Sequence, residues 1–310
     1  MEIINGIHNI RACHHGNVVT LGNFDGVHRG HQQLLYRLRA KGDELGLPST
    51  LITFEPQPRE FFAGAEVPPR LTRLREKVTL LRNTGLQRLV LLPFNEKTAN
   101  TPASWLTEQL LHKKLGAKYV VVGDDFRFGR GREGDFALIK SQGERFGYDV
   151  ASVDTLQHNG RRVSSTWVRE VLAAGDFQLA EALLGHQYFI MGRVVYGRQL
   201  GRQLGVPTAN MRLQRYRAAL EGVYCVTIDG IDSETQYGVA NIGVRPTVDG
   251  KEPLLEVHVF DFNGNLYGQL LTITFKHKLR DEQTFASIDA LKAQIDKDLV
   301  EARGWFEVPA

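Results

Sequence analysis

The sequence predicts an α/β protein of two domains: a doubly wound, Rossmann-like domain over residues 1–184, then a small antiparallel β-barrel with a C-terminal helix over 185–310. Three observations predict it. A chain of 310 residues can bury two cores of ordinary size. Its first half alternates short apolar runs with helical periodicity, the pattern of buried parallel strands joined by crossover helices. Beyond Gly185 the pattern changes to period-two segments separated by turn residues, as in an antiparallel barrel.

In order, the expected parallel strands are Val18–Leu21, Leu51–Phe54, Leu89–Leu92, Tyr119–Val122 and Val150–Val153. Between them, Leu71, Leu74, Val78 and Leu81 share one helical face, while Thr101-Pro102 opens a helix that Gly116 closes. Such alternation puts ligands at the carboxyl ends of the strands. Asp176 caps a short helix that ends at Gly185, marking the junction. The barrel strands are expected at Tyr188–Val195, Val223–Ile228, Tyr237–Asn241, Leu254–Phe260 and Leu270–Phe275, with Asn263-Gly264 as a hairpin turn between the last two. A final helix carries Ile288, Leu291, Ile295 and Leu299 on one stripe.

Composition narrows the function classes. Apolar residues at 42% and charged residues at 24% are ordinary for a globular chain. A formal charge of +3 is too small to argue for nucleic acid, and it suits phosphorylated substrates. Arg212, Arg215 and Arg217 read as a solvated cluster, since the stacking aromatics of a nucleic-acid binder do not accompany them. Cys13 and Cys225 lie far apart and outside any metal-like spacing, so two free thiols in a reducing compartment are expected. The first residues show no basic and apolar leader pattern, and no apolar run nears the ~20 residues of a membrane span. The expectation is a cytoplasmic protein with neither membrane nor nucleic-acid partners; no oligomeric state is assigned.

The chemistry concentrates in two places. After the first strand come Gly22, Asn23, Phe24, Asp25, Gly26, Val27, His28, Arg29, Gly30 and His31, leading into an apolar helix. Glycines there let the backbone approach a phosphate, and the helix start supplies free N–H groups. His28 and His31, three apart, can both donate to charge building on that phosphate. Near the domain's end, Ser165, Thr166 and Arg169 stand at another helix start, with Ser165 as a candidate cap; together they also make a triphosphate clamp. In the second half, Gly197, Gly201 and Gly205 space a basic loop, too weak a pattern alone, that runs into Pro207-Thr208-Ala209-Asn210. Thr208 and Asn210 offer hard oxygens for a Mg²⁺ that bridges ATP phosphates. Glu256, on an alternating strand with Leu255, Val257 and Val259 facing the other way, is either a solvated face residue or a proton acceptor.

His28-Arg29-Gly30-His31 resembles the His-x-Gly-His signature of the nucleotidyltransferase superfamily, which includes class I aminoacyl-tRNA synthetases. The lysine-rich loop and tRNA-binding domain of a synthetase are missing. With Thr53–Phe62, Val122–Gly131 and the Ser165 turn, the first half resembles the adenylyltransferase domain of the bacterial bifunctional riboflavin kinase/FAD synthetase family. The glycine loop, Glu221–Tyr224, Asn241–Thr247 and the Glu256 strand resemble its riboflavin kinase domain, in the same order.

That resemblance implies the roles. His28 and His31 would bind ATP phosphates, Ser165, Thr166 and Arg169 the departing pyrophosphate, and Phe62 and Phe128 the isoalloxazine ring. Gly22, Asn23, Phe24, Asp25 and Gly30 belong to the ATP loop, although Phe24, like Phe54, reads by itself as core packing. Asp125 departs from the family's asparagine, so it can accept from a hydroxyl but not donate. Thr208 and Asn210 would serve Mg-ATP, and Glu256 would be the base for the riboflavin 5′-hydroxyl. Riboflavin, FMN and ATP are then substrates, and FMN and FAD are products rather than prosthetic groups. Two rivals stay open: a nucleotidyltransferase for another phosphate-bearing substrate with a regulatory β-domain, and a non-catalytic flavin-binding module.

Overall fold

The computed structural model describes residues 1–197, 205–247 and 250–308. Backbone contacts divide the chain into two compact units. One comprises Met1–Glu66 and Arg73–Ser164, the other Val67–Thr72 and Ser165–Ala310. The expected boundary at 184/185 falls later than this division, so two helices placed at the end of the first domain by sequence cluster with the barrel.

The first unit holds six parallel strands: β1 (Glu2–Asn5), β2 (Asn17–Leu21), β3 (Ser49–Glu55), β4 (Arg88–Pro93), β5 (Ala117–Gly123) and β6 (Asp149–Val153), in the order β1-β4-β3-β2-β5-β6. The chain winds outward from β2 in one direction and then from β5 in the other. The point of reversal therefore lies between β2 and β5, where open α/β sheets bind ligands. All five residues of β2 are buried, Asn17 and Thr20 among them, which explains why it shows no alternation of apolar and charged positions. The edge strand β1 escapes sequence reading because only one of its four residues is buried. Helices α1 (Arg29–Leu45), α2 (Pro58–Ala63), α3 (Leu74–Arg82), α4 (Glu96–Ala99), α5 (Ala103–Trp105, continuing as a π-type stretch Leu106–Lys114) and α6 (Phe136–Phe146) connect them. A two-residue ribbon, β7 (Gln157–His158) and β8 (Arg161–Arg162), turns through Asn159 and Gly160, both at positive φ.

Two helix expectations need correction. Leu71 lies outside α3, and the buried face of that helix is Glu76, Lys77, Leu80 and Leu81. Pro102 is the cap of α5 rather than its first residue, one position earlier than expected.

In the second unit, α7 (Ser165–Ala173) and α8 (Phe177–Leu184) precede a closed antiparallel barrel. Its strands are β9 (Phe189–Val195), β10 (Ala209–Arg212), β11 (Gly222–Asp229), β12 (Gln236–Thr247), β13 (Gly250–Val259) and β14 (Leu270–Arg280), in the order β10-β13-β12-β11-β14-β9. The chain ends on α9 (Ile288–Phe306). Asp176 caps α8 by accepting from the Leu179 N–H, and Gly185 closes it in the left-handed region, as expected. Ser165 is the first helical residue of α7 and not the residue before it.

The hairpin at Asn263-Gly264 does not exist. β13 pairs with β10 and β12, and β14 pairs with β11 and β9. A turn dipeptide reports local backbone preference and says nothing about which strands the barrel closes together. The strand β10 was read only as a ligand loop; four residues, Ala209-Asn210-Met211-Arg212, carry too little periodicity to show as a strand.

Candidate active sites

The first site is built on the end of β2. The Gly22 N–H still donates to the Ile52 carbonyl at 3.0 Å, and the chain then leaves the sheet. Phe24, Gly26 and Val27 take φ values of 49°, 82° and 42°. A left-handed β-branched residue is strained and persists only where packing over-determines it. Here both Phe24 and Val27 are buried. Glycine at 26 was legible; the same conformation at Phe24 and Val27 was not.

His28 caps α1, its Nδ1 accepting from the His31 N–H at 3.4 Å. The two imidazoles stack with centroids 3.6 Å apart, and the Phe24 ring lies 4.6 Å from His31. Burial, then the charges of His28 and Lys77, push the His31 pKa well below its ordinary 6.5. His31 is thus a neutral ring, and its buried Nδ1 has no hydrogen-bond partner. Gly30 fits closely here: a Cβ there would sit 3.2 Å from the His28 ring, so that ring would have to give by a few tenths of an ångström, and 3.6 Å from the Val163 carbonyl. Asp25 is buried beside them.

Lys77 is the residue sequence reasoning missed. Its side chain is fully buried on α3 and its Nζ donates to the Asn23 carbonyl at 2.6 Å. A lysine in an amphipathic helix ordinarily faces water, so nothing in the local pattern marks it.

The aromatic residues separate into two groups. Phe54, Phe61, Phe62 and Phe94 form an edge-to-face cluster with centroid separations of 5.3 to 5.7 Å. Phe62 keeps 68% of its surface exposed, as a stacking platform requires. Phe128 is buried instead, stacked on Phe126 at 5.2 Å. Phe54 packs against the core, as read from sequence. Asp125 pairs with Arg162 at 2.6 Å, both side chains solvent-facing. Of the presumed pyrophosphate clamp, Ser165, Thr166 and Arg169 lie on α7 of the second unit, where the Arg169 Nε donates to the Pro69 carbonyl.

The second site lies on the barrel. Asn210 on β10 and Asn241 on β12 stand directly opposite Glu256 on β13, one on each side. Opposed residues of an antiparallel ladder share a face with Cβ atoms ~5 Å apart. Register therefore assembles Asn210, Glu256 and Asn241 into one row, and Asn241 was missed because only pairing reveals it. Leu255, Val257 and Val259 are buried on the other face, as the alternation predicts.

A cleft of about 700 Å³ opens over Glu256 and Asn241 of this row. Thr208, Asn241, Glu256 and His258 line its barrel side, and Ile288, Leu291, Ile295 and Leu299 of α9 line the other. The apolar stripe of α9 thus borders a cavity, although Leu299 also packs against the barrel core, and all four residues stay partly or largely exposed. A bidentate ion pair, Arg280 to Asp298, ties α9 to the end of β14 at 2.8 to 3.1 Å. A second cleft of about 420 Å³ is lined by Gly197, Thr208, Asn210 and the loop Phe262–Tyr267. Thr208 borders both clefts. The loop released from the expected hairpin is a wall of the smaller one.

Hard-oxygen donors collect at this border. Among the described residues the buried Asn210 Oδ1 has no hydrogen-bond partner, while its Nδ2 donates to the Thr208 carbonyl at 3.2 Å. A neutral, unsatisfied oxygen beside a hydroxyl fits Mg²⁺ held together with a nucleotide's phosphates. Gly197 meets this group so closely that a Cβ would lie 2.6 Å from the Asn210 Cγ. Gly205 adopts φ +82° with open space around it, and Gly201 lies outside the described residues.

Comparison with known proteins puts a family model on each half of the chain. A family model described as FAD synthetase matches residues 10–167, and one described as riboflavin kinase matches residues 184–306. A bifunctional riboflavin kinase/FMN adenylyltransferase of Pseudomonas fluorescens is 50% identical over 305 residues, covering 98% of this chain and 97% of its own. The protein of that name from Escherichia coli K12 is 48% identical over 307 residues, covering 99% and 98%. A solved Streptococcus pneumoniae structure described as a macrolide-efflux protein superposes with a TM-score of 0.81 at 29% identity, covering 98% of this chain and all of that one. With a catalytic family model on each half and such relatives along its whole length, the chain belongs to the bifunctional riboflavin kinase/FMN adenylyltransferase family.

Proposed function

We propose that the two activities of this family are carried by residues 185–310 and 1–184 respectively, each at the site described above. In the barrel, riboflavin lies in the larger cleft with its apolar rings against the α9 stripe. Glu256 accepts the proton of the terminal ribityl hydroxyl, whose oxygen attacks the γ-phosphate of ATP, and ADP leaves. Thr208 and Asn210 hold the nucleotide phosphates from the smaller cleft. Mg²⁺ held there with ATP would neutralise phosphate charge. FMN is the product.

In the α/β unit, an FMN phosphate oxygen attacks the α-phosphate of a second ATP, and pyrophosphate leaves as FAD forms. Gly22, Asn23, Asp25 and Gly30 shape the cradle for the triphosphate. His28 and His31 donate to the charge that grows on it, and Ser165, Thr166 and Arg169 serve the departing pyrophosphate. Phe62 supplies the exposed face for the flavin ring, and Phe128 supports it from beneath the surface. Asp125 accepts from a ribityl or ribose hydroxyl. No protein nucleophile takes part.

One observation carries the kinase assignment: Glu256 and Asn241 lie beneath a cleft whose far wall is an apolar helix stripe, while their row-mate Asn210 lines a second cleft and Thr208 borders both. Two catalytic family models set aside the regulatory and non-catalytic rivals. Efflux, as attached to the Streptococcus pneumoniae structure, gains no support: among the described residues no helix is long and apolar enough to cross a membrane. Dependence on ATP and two free cysteines support the cytoplasm as its place.

Glu256→Gln tests the assignment, because it preserves size and polarity while removing the proton acceptor. Riboflavin phosphorylation at saturating Mg-ATP should fall by roughly 10²–10⁴. FAD formation from supplied FMN should survive. A phosphorylation rate within a few-fold of the parent would make Glu256 a mere surface residue.

A further inference from the structure

We infer that His258 is a positioning residue for the phosphorylation step, clamping the Pro207–Thr208 peptide so that the Thr208 hydroxyl is held at the border of the two clefts. The inference rests on the reading of Thr208 as a nucleotide-phosphate ligand given above.

His258 follows Glu256 by two residues on β13 and therefore shares its face. Its Nδ1 lies 2.9 Å from the Pro207 carbonyl oxygen. A carbonyl only accepts, so Nδ1 carries the proton and the neutral ring keeps Nε2 as its acceptor. Burial holds the His258 pKa below its ordinary value, with the hydrogen bond to Pro207 opposing that shift. The clamp works in either protonation state, because both donate from Nδ1.

The imidazole is itself braced from behind. Its ring stands edge-on to Phe260 at 6.1 Å. The guanidinium of Arg303 lies 4.5 Å from the centroid of Phe260. Arg303 in turn grips both carboxylate oxygens of Asp261, at 2.7 and 3.0 Å. A strand, an aromatic ring and α9 thus fix the donor that Pro207 meets.

The need for a clamp follows from the segment it holds. Gly205 stands at φ +82°, two residues before Pro207, and among the described residues nothing lies within 4 Å of where its Cβ would be. Regular pairing resumes only at Ala209. Thr208 lies between these points and borders both clefts. A misplacement of about 1 Å in such a group costs on the order of 10² in rate.

The test uses the full chain and the pair His258→Asn and His258→Gln. The asparagine amide nitrogen occupies the region of Nδ1 and can still donate to Pro207, whereas the glutamine amide reaches the region of Nε2 and leaves the carbonyl unpaired. His258→Asn should keep kcat/KM for phosphorylation within a few-fold. His258→Gln should lose about 10–10²-fold, chiefly through a higher KM for Mg-ATP, with the KM for riboflavin unchanged. FAD formation from supplied FMN should be normal in both, and an unchanged thermal melt of each variant confirms that the barrel unit is folded. Equal losses in the two variants, or none in either, would overturn the clamp. Thr208→Ala separates this from the underlying reading. If it raises the KM for Mg-ATP and its loss is not additive with that of His258→Gln, His258 acts through Thr208. If Thr208→Ala is silent while His258→Gln is impaired, the Thr208 reading fails and takes this route with it. Additive losses would leave Thr208 a ligand and refute the clamp alone.

Discussion

At His31 three effects act in one direction. Burial, the neighbouring His28 and the cation of Lys77 all disfavour the charged ring. A neutral imidazole offers one N–H donor and avoids repulsion with its stacked partner 3.6 Å away. The motif alone gave the two histidines and their spacing of three; it did not give the stacking, which depends on His28 leaving the helix as its cap. His28→Ala and His31→Ala should each lower FAD formation from FMN by about 10²–10³, the usual cost of losing a donor aimed at developing charge. Riboflavin phosphorylation should remain close to normal. Equal damage to both steps in either variant would detach this loop from adenylyl transfer.

Among the elements, β10 and the loop after β13 carry most of what sequence patterns left out. β10 is four residues long, and one of them, Asn210, is proposed above to hold the nucleotide phosphates. Its place between β9 and β13 is set by barrel closure. Gly197, just past β9, shows the consequence. Its φ is not left-handed, so the backbone tolerates alanine, but a Cβ would fall 2.6 to 2.7 Å from the Cγ, Nδ2 and Oδ1 of Asn210. Gly197→Ala should therefore displace that amide and raise the KM for Mg-ATP by about tenfold or more, the scale expected for a misplaced ligand. Steady-state kinetics with varied Mg-ATP, alongside a thermal melt, decides it. An unchanged KM would mean that Asn210 does not serve the nucleotide in this position.

For the whole molecule, the boundary between the halves has a measurable consequence. Phe177 on α8 lies edge-on to Tyr224 at 5.8 Å and stacks on Phe275 at 6.4 Å. Tyr224 and Phe275 are fully buried in the barrel unit. A fragment that starts at Gly185 removes this cover. Burial of one aromatic side chain contributes roughly 1.5–3 kcal/mol, and each kcal/mol moves Tm by about 3–6 °C at this size. A fragment of residues 165–310 should thus melt at least about 5 °C above one of residues 185–310 and keep riboflavin phosphorylation without FAD formation. Both should melt below the same unit in the full chain, because Arg215 donates to the Arg70 carbonyl at 2.9 Å and either fragment lacks that acceptor. Indistinguishable melting curves would show that α7 and α8 add nothing to the barrel.

The amino-acid sequence by itself determined the two-core organisation, ten of the strands, the caps at Asp176 and Gly185, the segments that hold His28, His31, Thr208 and Asn210, and the strand that carries Glu256. These are local properties: hydrophobic period, turn chemistry and short motifs act over a few residues. Tertiary structure alone decided the rest. It fixed the pairing that sets Asn210 and Asn241 on either side of Glu256, the burial of Lys77 under Asn23, and the opening of the Asn263-Gly264 loop onto a cleft. It also turned the apolar stripe of α9 toward a cavity. The physical reason is the same in each case. Apolar periodicity says that a face avoids water, and only the folded chain decides whether that face meets a packed core or a cleft shaped for a ligand.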